Sequence, residues 1–254
     1  MLLNSVRINN HELHYLKVGN GEEKLLCFPG FGQSASYFYE CLPDTIRERY
    51  EVFVLEPFFV GQSQWNSSDK LSNETLYTFI KGVLGETSSI HLLGASIGCR
   101  MLLSVLASDM PVQTVHFISP DGIKNRFLFS FATLNKRTRY LVSKSMKWAS
   151  LLLLFVRVEE EDKRILKALL KKERSQQMLS TWWLLSGLRY RIAEIIQSMN
   201  EKEIKTFFYL AQRDPISSNK STRHFSSLLK NSEIMVLKTT HTRLMKEVKM
   251  LIRL

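Results

Sequence analysis

Cysteine is scarce here: the 254 residues hold three, Cys27, Cys41 and Cys99. An odd set with neither a C-x-x-C pair nor metal-ligand spacing excludes a disulfide framework, offers no metal site, and points to a reducing compartment. A membrane-length apolar run is also missing, since the most apolar stretch, Trp148 to Val156, is about half the roughly 20 residues a spanning helix needs. The opening residues, MLLNSVRINNHELHYL, lack the basic and then apolar regions of an export signal, so cytoplasm is the expected location. There is no internal repeat and no low-complexity tract. What is present, 44% hydrophobic and 23% charged residues, is the composition of an ordinary folded domain. The length suits one α/β body with one insertion.

Acidic residues are thin in one place. Residues 122–202 carry 17 Lys and Arg against 7 Asp and Glu, whereas the remainder carries 18 against 17, so nearly all of the net charge of +11 lies in that segment. The basic residues are interleaved with helical apolar patterns rather than aromatic stacking platforms, and no reading motif accompanies them, so no nucleic-acid partner is expected.

Up to residue 121 apolar runs alternate with amphipathic stretches, the rhythm of β/α units feeding a mostly parallel sheet. Strands are expected at Leu2–Ile8 and Glu12–Val18, as an opening hairpin around Asn9-Asn10, then at Lys24–Phe28, Glu51–Leu55, Ile90–Leu93 and Thr114–Ile118. Helices are expected at Ser36–Tyr50, Asn73–Gly85 and Ile97–Ser108. From Gly122 long helical patterns take over, with apolar stripes at Tyr140, Leu141, Trp148, Leu151, Leu152 and Phe155, and at Leu188, Ile192, Ile195, Ile196 and Met199. The alternation then resumes, with strands at Thr206–Ala211 and Ile234–Leu237 and helices near Ser217–Leu229 and Thr242–Leu254. The reading is an α/β core over 1–121 and 203–254, with an inserted helical cap over 122–202.

Within this frame Ile90 to Leu103 holds a strand, the pentapeptide Gly94-Ala95-Ser96-Ile97-Gly98, and a helix. A serine on so tight a turn takes a strained backbone conformation, and the flanking glycines, Gly94 and Gly98, leave room for it. The helix start behind it directs free N–H groups and partial positive charge at the same point, which favours an oxyanion. A Gly-rich turn with Ser96 merely capping the helix would read the same way, so partners must decide. They follow in order. Asp214 lies just past one late strand and His241 just past the last, and the carboxyl ends of parallel strands share one edge. Such a histidine takes the serine proton while the aspartate fixes its tautomer. Asp121, just past another strand end, is an alternative acid. The remaining histidines, His11, His14, His91, His116 and His224, fall inside strand or helix patterns and read as structural or surface residues. The loop Pro29-Gly30-Phe31-Gly32 after the third strand can bring the Phe31 N–H beside that of Ile97 as a pair of oxyanion donors.

These blocks, with the stretch Glu56-Pro57-Phe58-Phe59-Val60-Gly61-Gln62-Ser63, resemble the α/β-hydrolase superfamily, in particular its small capped serine esterases and thioesterases. The resemblance implies a mostly parallel eight-stranded sheet with flanking helices and a cap, and acyl-enzyme cleavage of an ester or thioester by Ser96, His241 and Asp214 without a cofactor. Departures are Pro29 where a histidine often stands, Ala211 and Thr240 where glycines are frequent, and Cys99. Ser96 in place of an aspartate argues against the dehalogenase and epoxide hydrolase members. A non-catalytic binding protein on the same fold, or a lyase or carbon–carbon hydrolase using the same triad, remain alternatives. The cap's Lys136, Arg137, Arg139, Lys144, Lys147, Lys171, Lys172 and Arg174 would suit an apolar acyl chain delivered by an acidic carrier, such as acyl carrier protein or coenzyme A. They would also suit an anionic membrane met by Trp148, Leu151, Leu152 and Phe155, or simple solvation.

Overall fold

The computed structural model describes residues 2–124, 127–152, 171–214 and 216–252. It opens with the hairpin of β1 (Asn4–Ile8) and β2 (His11–Val18), paired antiparallel from Asn4 opposite Tyr15 to Ile8 opposite His11. Asn9 turns it at φ 53°, a left-handed conformation that asparagine tolerates because its short side chain bonds locally. With β3 (Glu23–Phe28), β4 (Tyr50–Leu55), β5 (Ile90–Ala95), β6 (Val112–Ile118), β7 (Lys205–Arg213) and β8 (Ser232–Thr240) it forms an eight-stranded sheet of order β1-β2-β4-β3-β5-β6-β7-β8. β2 meets β4 antiparallel, and every pairing beyond is parallel. Leu25, Leu26, Cys27 and Phe28 are fully buried, the unbroken apolar run of a strand covered on both faces.

The helices follow local chemistry. One helix is expected over Ser36–Tyr50, but two form, α1 (Ala35–Glu40) and α2 (Asp44–Arg49). Pro43 separates them because its ring and missing N–H cannot sit inside a helix, and it takes the cap position of α2 instead. α3 (Asn73–Leu84) starts on Ser72, whose Oγ accepts from the Thr75 N–H at 3.1 Å, and stops at Gly85. One tight turn, Ser96–Gly98, precedes α4 (Cys99–Leu106), which is buried throughout. Then come α5 (Phe127–Leu134), α6 (Lys136–Leu152), α7 (Lys172–Leu185), α8 (Ile192–Glu201), α9 (Asn219–Ser227) and α10 (His241–Glu247). Among the described residues no helix is long and apolar enough to cross a membrane.

From β3 the chain leaves through α1 and α2 to β4 on one side, while β5, on the other side of β3, leads through α4 to β6. The loops after β3 and β5 therefore part at the carboxyl edge, the place where open α/β sheets hold their ligands.

Two compact units make up the chain: Met1–Lys124 with Leu188–Leu254, and Asn125–Gly187. The second is narrower than the expected 122–202, because α8 buries Ile195 and Met199 and packs against α4 in the first unit. In the first unit Phe38, Ile46 and Leu244 join Leu25, Leu93 and Tyr209 in one cluster. Within the sheet Phe117 and Phe208 stack at 5.0 Å, and Phe225 of α9 meets both edge-on at 6.1 and 5.9 Å. Among the described residues of the second unit, Ala132, Val142 and Leu179 form a core with Phe131, Met178 and Trp182 around it. Of the expected stripe, Tyr140 and Leu141 are exposed, and among the described side chains of α6 the buried one is Val142. Phe155, and the side chains of Trp148, Leu151 and Leu152, lie outside the described residues.

His116, opposite Phe207 in the β6–β7 register, is fully buried and stacks on the Phe207 ring at 4.8 Å, with the Tyr209 hydroxyl 3.2 Å from its Nδ1. Burial, with help from the charge of Lys205 and from His91, lowers its pKa from 6.5 to about 3. The unfolded chain thus binds a proton that the folded chain refuses. Stability is expected to be full above pH 6.5 and to fall as pH drops toward about 3, with up to roughly 1.4 kcal/mol per pH unit from this residue. Urea unfolding of the wild type and of His116→Phe across this range checks it: the variant should show the shallower pH dependence.

Candidate active site

Ser96 follows β5 directly at φ 48°, a region a non-glycine residue enters at a cost of roughly 1–3 kcal/mol unless its surroundings hold it there. Two features hold it. A Cβ at Gly98 would collide with the carbonyl oxygens of Phe28 and Pro29, so only glycine lets the elbow press against the end of β3. On the other flank the Asp121 N–H donates to the Ser96 carbonyl at 3.1 Å. Gly94 serves the same close packing from behind, where a Cβ would stand 2.8 Å from Leu102 Cδ1.

His241 is the first residue of α10, directly at the end of β8, which runs three residues beyond the expected Leu237. The structure brings it to Ser96: Nε2 lies 3.0 Å from Oγ. On the opposite side of the ring Nδ1 lies 2.8 Å from Oδ2 of Asp214, whose side chain is fully buried. Asp214 sits one residue past β7, and its second oxygen accepts the N–H groups of Ile216 at 2.9 Å and Ser217 at 2.6 Å. Burial pushes the carboxyl up, but the hydrogen bond and charge of His241 and the Ser217 N–H outweigh it, and the group titrates below the usual carboxylate range. An ionised Asp214 requires the proton of the neutral imidazole on Nδ1, which leaves Nε2 free to accept from Ser96.

Asp121 is not brought to the histidine. Its carboxylate is held in a bidentate pair by Arg100 of α4, Nε to Oδ2 at 2.7 Å and a terminal nitrogen to Oδ1 at 3.2 Å, with the Arg100 side chain 4% exposed. The pair instead anchors the segment whose N–H fixes the Ser96 carbonyl.

The loop after β3 lies against the nucleophile, since a Cβ on Gly30 would be 3.3 Å from Ser96 Cβ. Gln33 closes this loop reciprocally: its N–H donates to the Gly30 carbonyl at 3.2 Å and its Oε1 accepts the Gly30 N–H at 2.6 Å. Phe31 and Gly32, the latter at φ 73°, form the turn between. Among the described residues neither the Phe31 nor the Ile97 N–H has a protein acceptor, so both stay available as donors.

Sequence reasoning missed three supports. Buried Glu56 accepts the Ala35 N–H at 2.5 Å and so ties the end of β4 to the helix after the Gly30 loop. Ser217 feeds Asp214 through its N–H and donates its hydroxyl to the Ser119 carbonyl at 2.8 Å, standing 3.3 Å from His241 Nδ1. Arg100 is the third. The Asp214 turn was legible in principle, as an aspartate before Pro-Ile-Ser caps the next free N–H groups.

The alpha/beta hydrolase fold family model matches residues 24–247 of the chain. No curated protein sequence matches it. Similar solved structures include the enol-lactonase from Burkholderia xenovorans LB400, 12% identical with TM-score 0.69, covering 98% of this chain and 96% of that one. A thermophilic esterase from Thermogutta terrifontis is 14% identical at TM-score 0.66, covering 99% and 95%. The thioesterase domain from the curacin biosynthetic pathway is 11% identical at TM-score 0.64, covering 99% and 97%. Identities this low carry the architecture alone. With the family match over residues 24–247 and the eight-stranded, mostly parallel sheet, the chain belongs to the alpha/beta hydrolase fold family.

Proposed function

We propose that this protein is a serine hydrolase that cleaves a carboxylic ester or thioester. The observation that carries the reading is the continuous relay Ser96 Oγ, His241 Nε2, His241 Nδ1, Asp214 Oδ2, with links of 3.0 and 2.8 Å. His241 takes the Ser96 proton as Oγ attacks the acyl carbon. The Phe31 and Ile97 N–H groups stabilise the negative oxygen of the tetrahedral intermediate. His241 then returns the proton to the departing alkoxide or thiolate, leaving an acyl-serine, and activates a water molecule to release the acid and restore Ser96. Asp214, ionised to below the ordinary carboxylate range, keeps the imidazole in the one tautomer that can do this. Esterase, thioesterase and lactonase names among the structural neighbours agree with acyl C–O or C–S cleavage.

A fluorophosphonate probe tests the nucleophile. The wild type is expected to become labelled at Ser96, and Ser96→Ala to remain unlabelled while losing hydrolysis of p-nitrophenyl esters and acyl thioesters by about 10⁴-fold or more. A folded wild type that resists the probe and cleaves none of these substrates overturns the reading.

The two acids separate in kinetics. Asp214→Asn is expected to cut kcat by about 10³- to 10⁴-fold by letting the imidazole adopt the wrong tautomer. Asp121→Asn, which leaves His241 oriented, should retain most activity and register mainly as lower stability in urea titration. Equal losses in kcat for both, with both proteins folded, would remove Asp214 from its role.

A further inference from the structure

Nine large apolar residues stand exposed among the described residues, and five of them fall within fifteen positions of the second unit: Phe127, Leu128, Leu134, Tyr140 and Leu141, at 82, 47, 68, 60 and 54% exposure. Scattered single exposures are ordinary, whereas so many on one helical hairpin mark an interaction surface. Their setting is cationic. Residues 125–187 carry 13 Lys and Arg against 5 Asp and Glu, and within the described part of that span Glu173 is the one acid. On α6, Arg137, Tyr140, Leu141 and Lys144 follow the i, i+3, i+4 spacing of one face, and Lys144 Nζ lies 5.0 Å over the Tyr140 ring.

Beside this stripe a cavity of about 490 Å³ opens between α6 and α7, lined by Lys136, Arg139, Tyr140, Ser143, Gln176 and Ser180, with Leu179 as an apolar wall. That volume is within the roughly 300–1,000 Å³ of small-molecule sites. Its described lining offers two cations, three hydroxyls and an amide as donors for a phosphate, with no carboxylate among the described residues. Arg139 is fixed over the Trp183 ring at 5.2 Å, and its Nε–H has no acceptor among the described residues.

We propose that the α5–α6 hairpin is a membrane-surface site, in which Leu134, Tyr140 and Leu141 enter the headgroup layer of an anionic bilayer and the α6–α7 cavity takes a phospholipid phosphate. An amphipathic basic face lies in such an interface with its apolar side chains among the acyl boundary and its Lys and Arg over anionic headgroups. Tyrosine suits the boundary because its ring is apolar and its hydroxyl is wet. An uncharged, zwitterionic surface would use the apolar residues but not the cations, so the charge of the unit selects anionic lipid.

Sedimentation with vesicles of phosphatidylglycerol and phosphatidylcholine mixed in equal parts, against phosphatidylcholine alone, tests this on the full chain. Binding is expected to the anionic vesicles and to fall steeply with salt. Lys136→Gln and Arg139→Gln should each weaken it about fivefold, the effect of one charge at an anionic surface. The pair Leu134→Asn with Leu141→Asn, both exposed and so without consequence for the core, should weaken it tenfold or more. Ser96→Ala should bind like the wild type, so the outcome is independent of the proposed catalysis. Indifference of binding to the Leu134 and Leu141 changes, equal binding to phosphatidylcholine alone, or displacement from vesicles by stoichiometric coenzyme A would each overturn the proposal. The last outcome would make the cavity a site for a soluble phosphate ester.

Discussion

The approach of the β5–α4 elbow to the end of β3 is the constraint on which the rest of the first unit depends. Ser96 is held at φ 48° because Gly98 lies where no side chain fits, against the carbonyls of Phe28 and Pro29. The same contact draws the Gly30–Gln33 loop up to the serine, so one steric fact presents the hydroxyl and the nearby backbone donors together. It also lies where the strand order turns outward in both directions from β3 and β5, which keeps the carboxyl edge open. A β-branched residue at position 98 would clash with both carbonyls and push the serine and the loop apart.

Around that point charge is sorted by burial and partner. Two aspartates stand at neighbouring strand ends, and each is committed: Asp121 to the Arg100 guanidinium, Asp214 to the His241 ring and the two N–H groups of its own turn. Neither is free to change places, because both oxygens of each carboxylate already accept hydrogen bonds from these partners. The Arg100–Asp121 pair thus contributes by holding the backbone at Ser96, while Asp214 acts on the imidazole. Burial acts in the opposite sense on His116, which the stacked rings of the sheet keep neutral and out of any acid–base role near neutral pH.

The second unit obeys different physics. Among its described residues the core rests on Ala132, Val142 and Leu179, and Phe127, Leu128, Leu134, Tyr140 and Leu141 face outward. The unit carries 13 Lys and Arg against 5 Asp and Glu. That imbalance and the exposed aromatic and aliphatic side chains are two expressions of one composition.

By itself the sequence determined the element order, the strands, the elbow, and the chain order Ser96, Asp214, His241, because each rests on local signals: apolar runs, caps, glycines beside a serine, polar residues at strand ends. It also held the reason for the break between α1 and α2, in Pro43, which the apolar pattern of Ser36–Tyr50 obscured. Tertiary structure alone decided the rest. Asp121 and Asp214 look alike along the chain, and only the arrival of Arg100 from α4 and of His241 from the end of β8 separates them. On α6 Tyr140 and Leu141 stay exposed while Val142 is buried, and α8 belongs to the first unit, because burial depends on which distant face comes to meet a helix. Periodicity fixes that a face exists; the partner that covers it is a long-range fact.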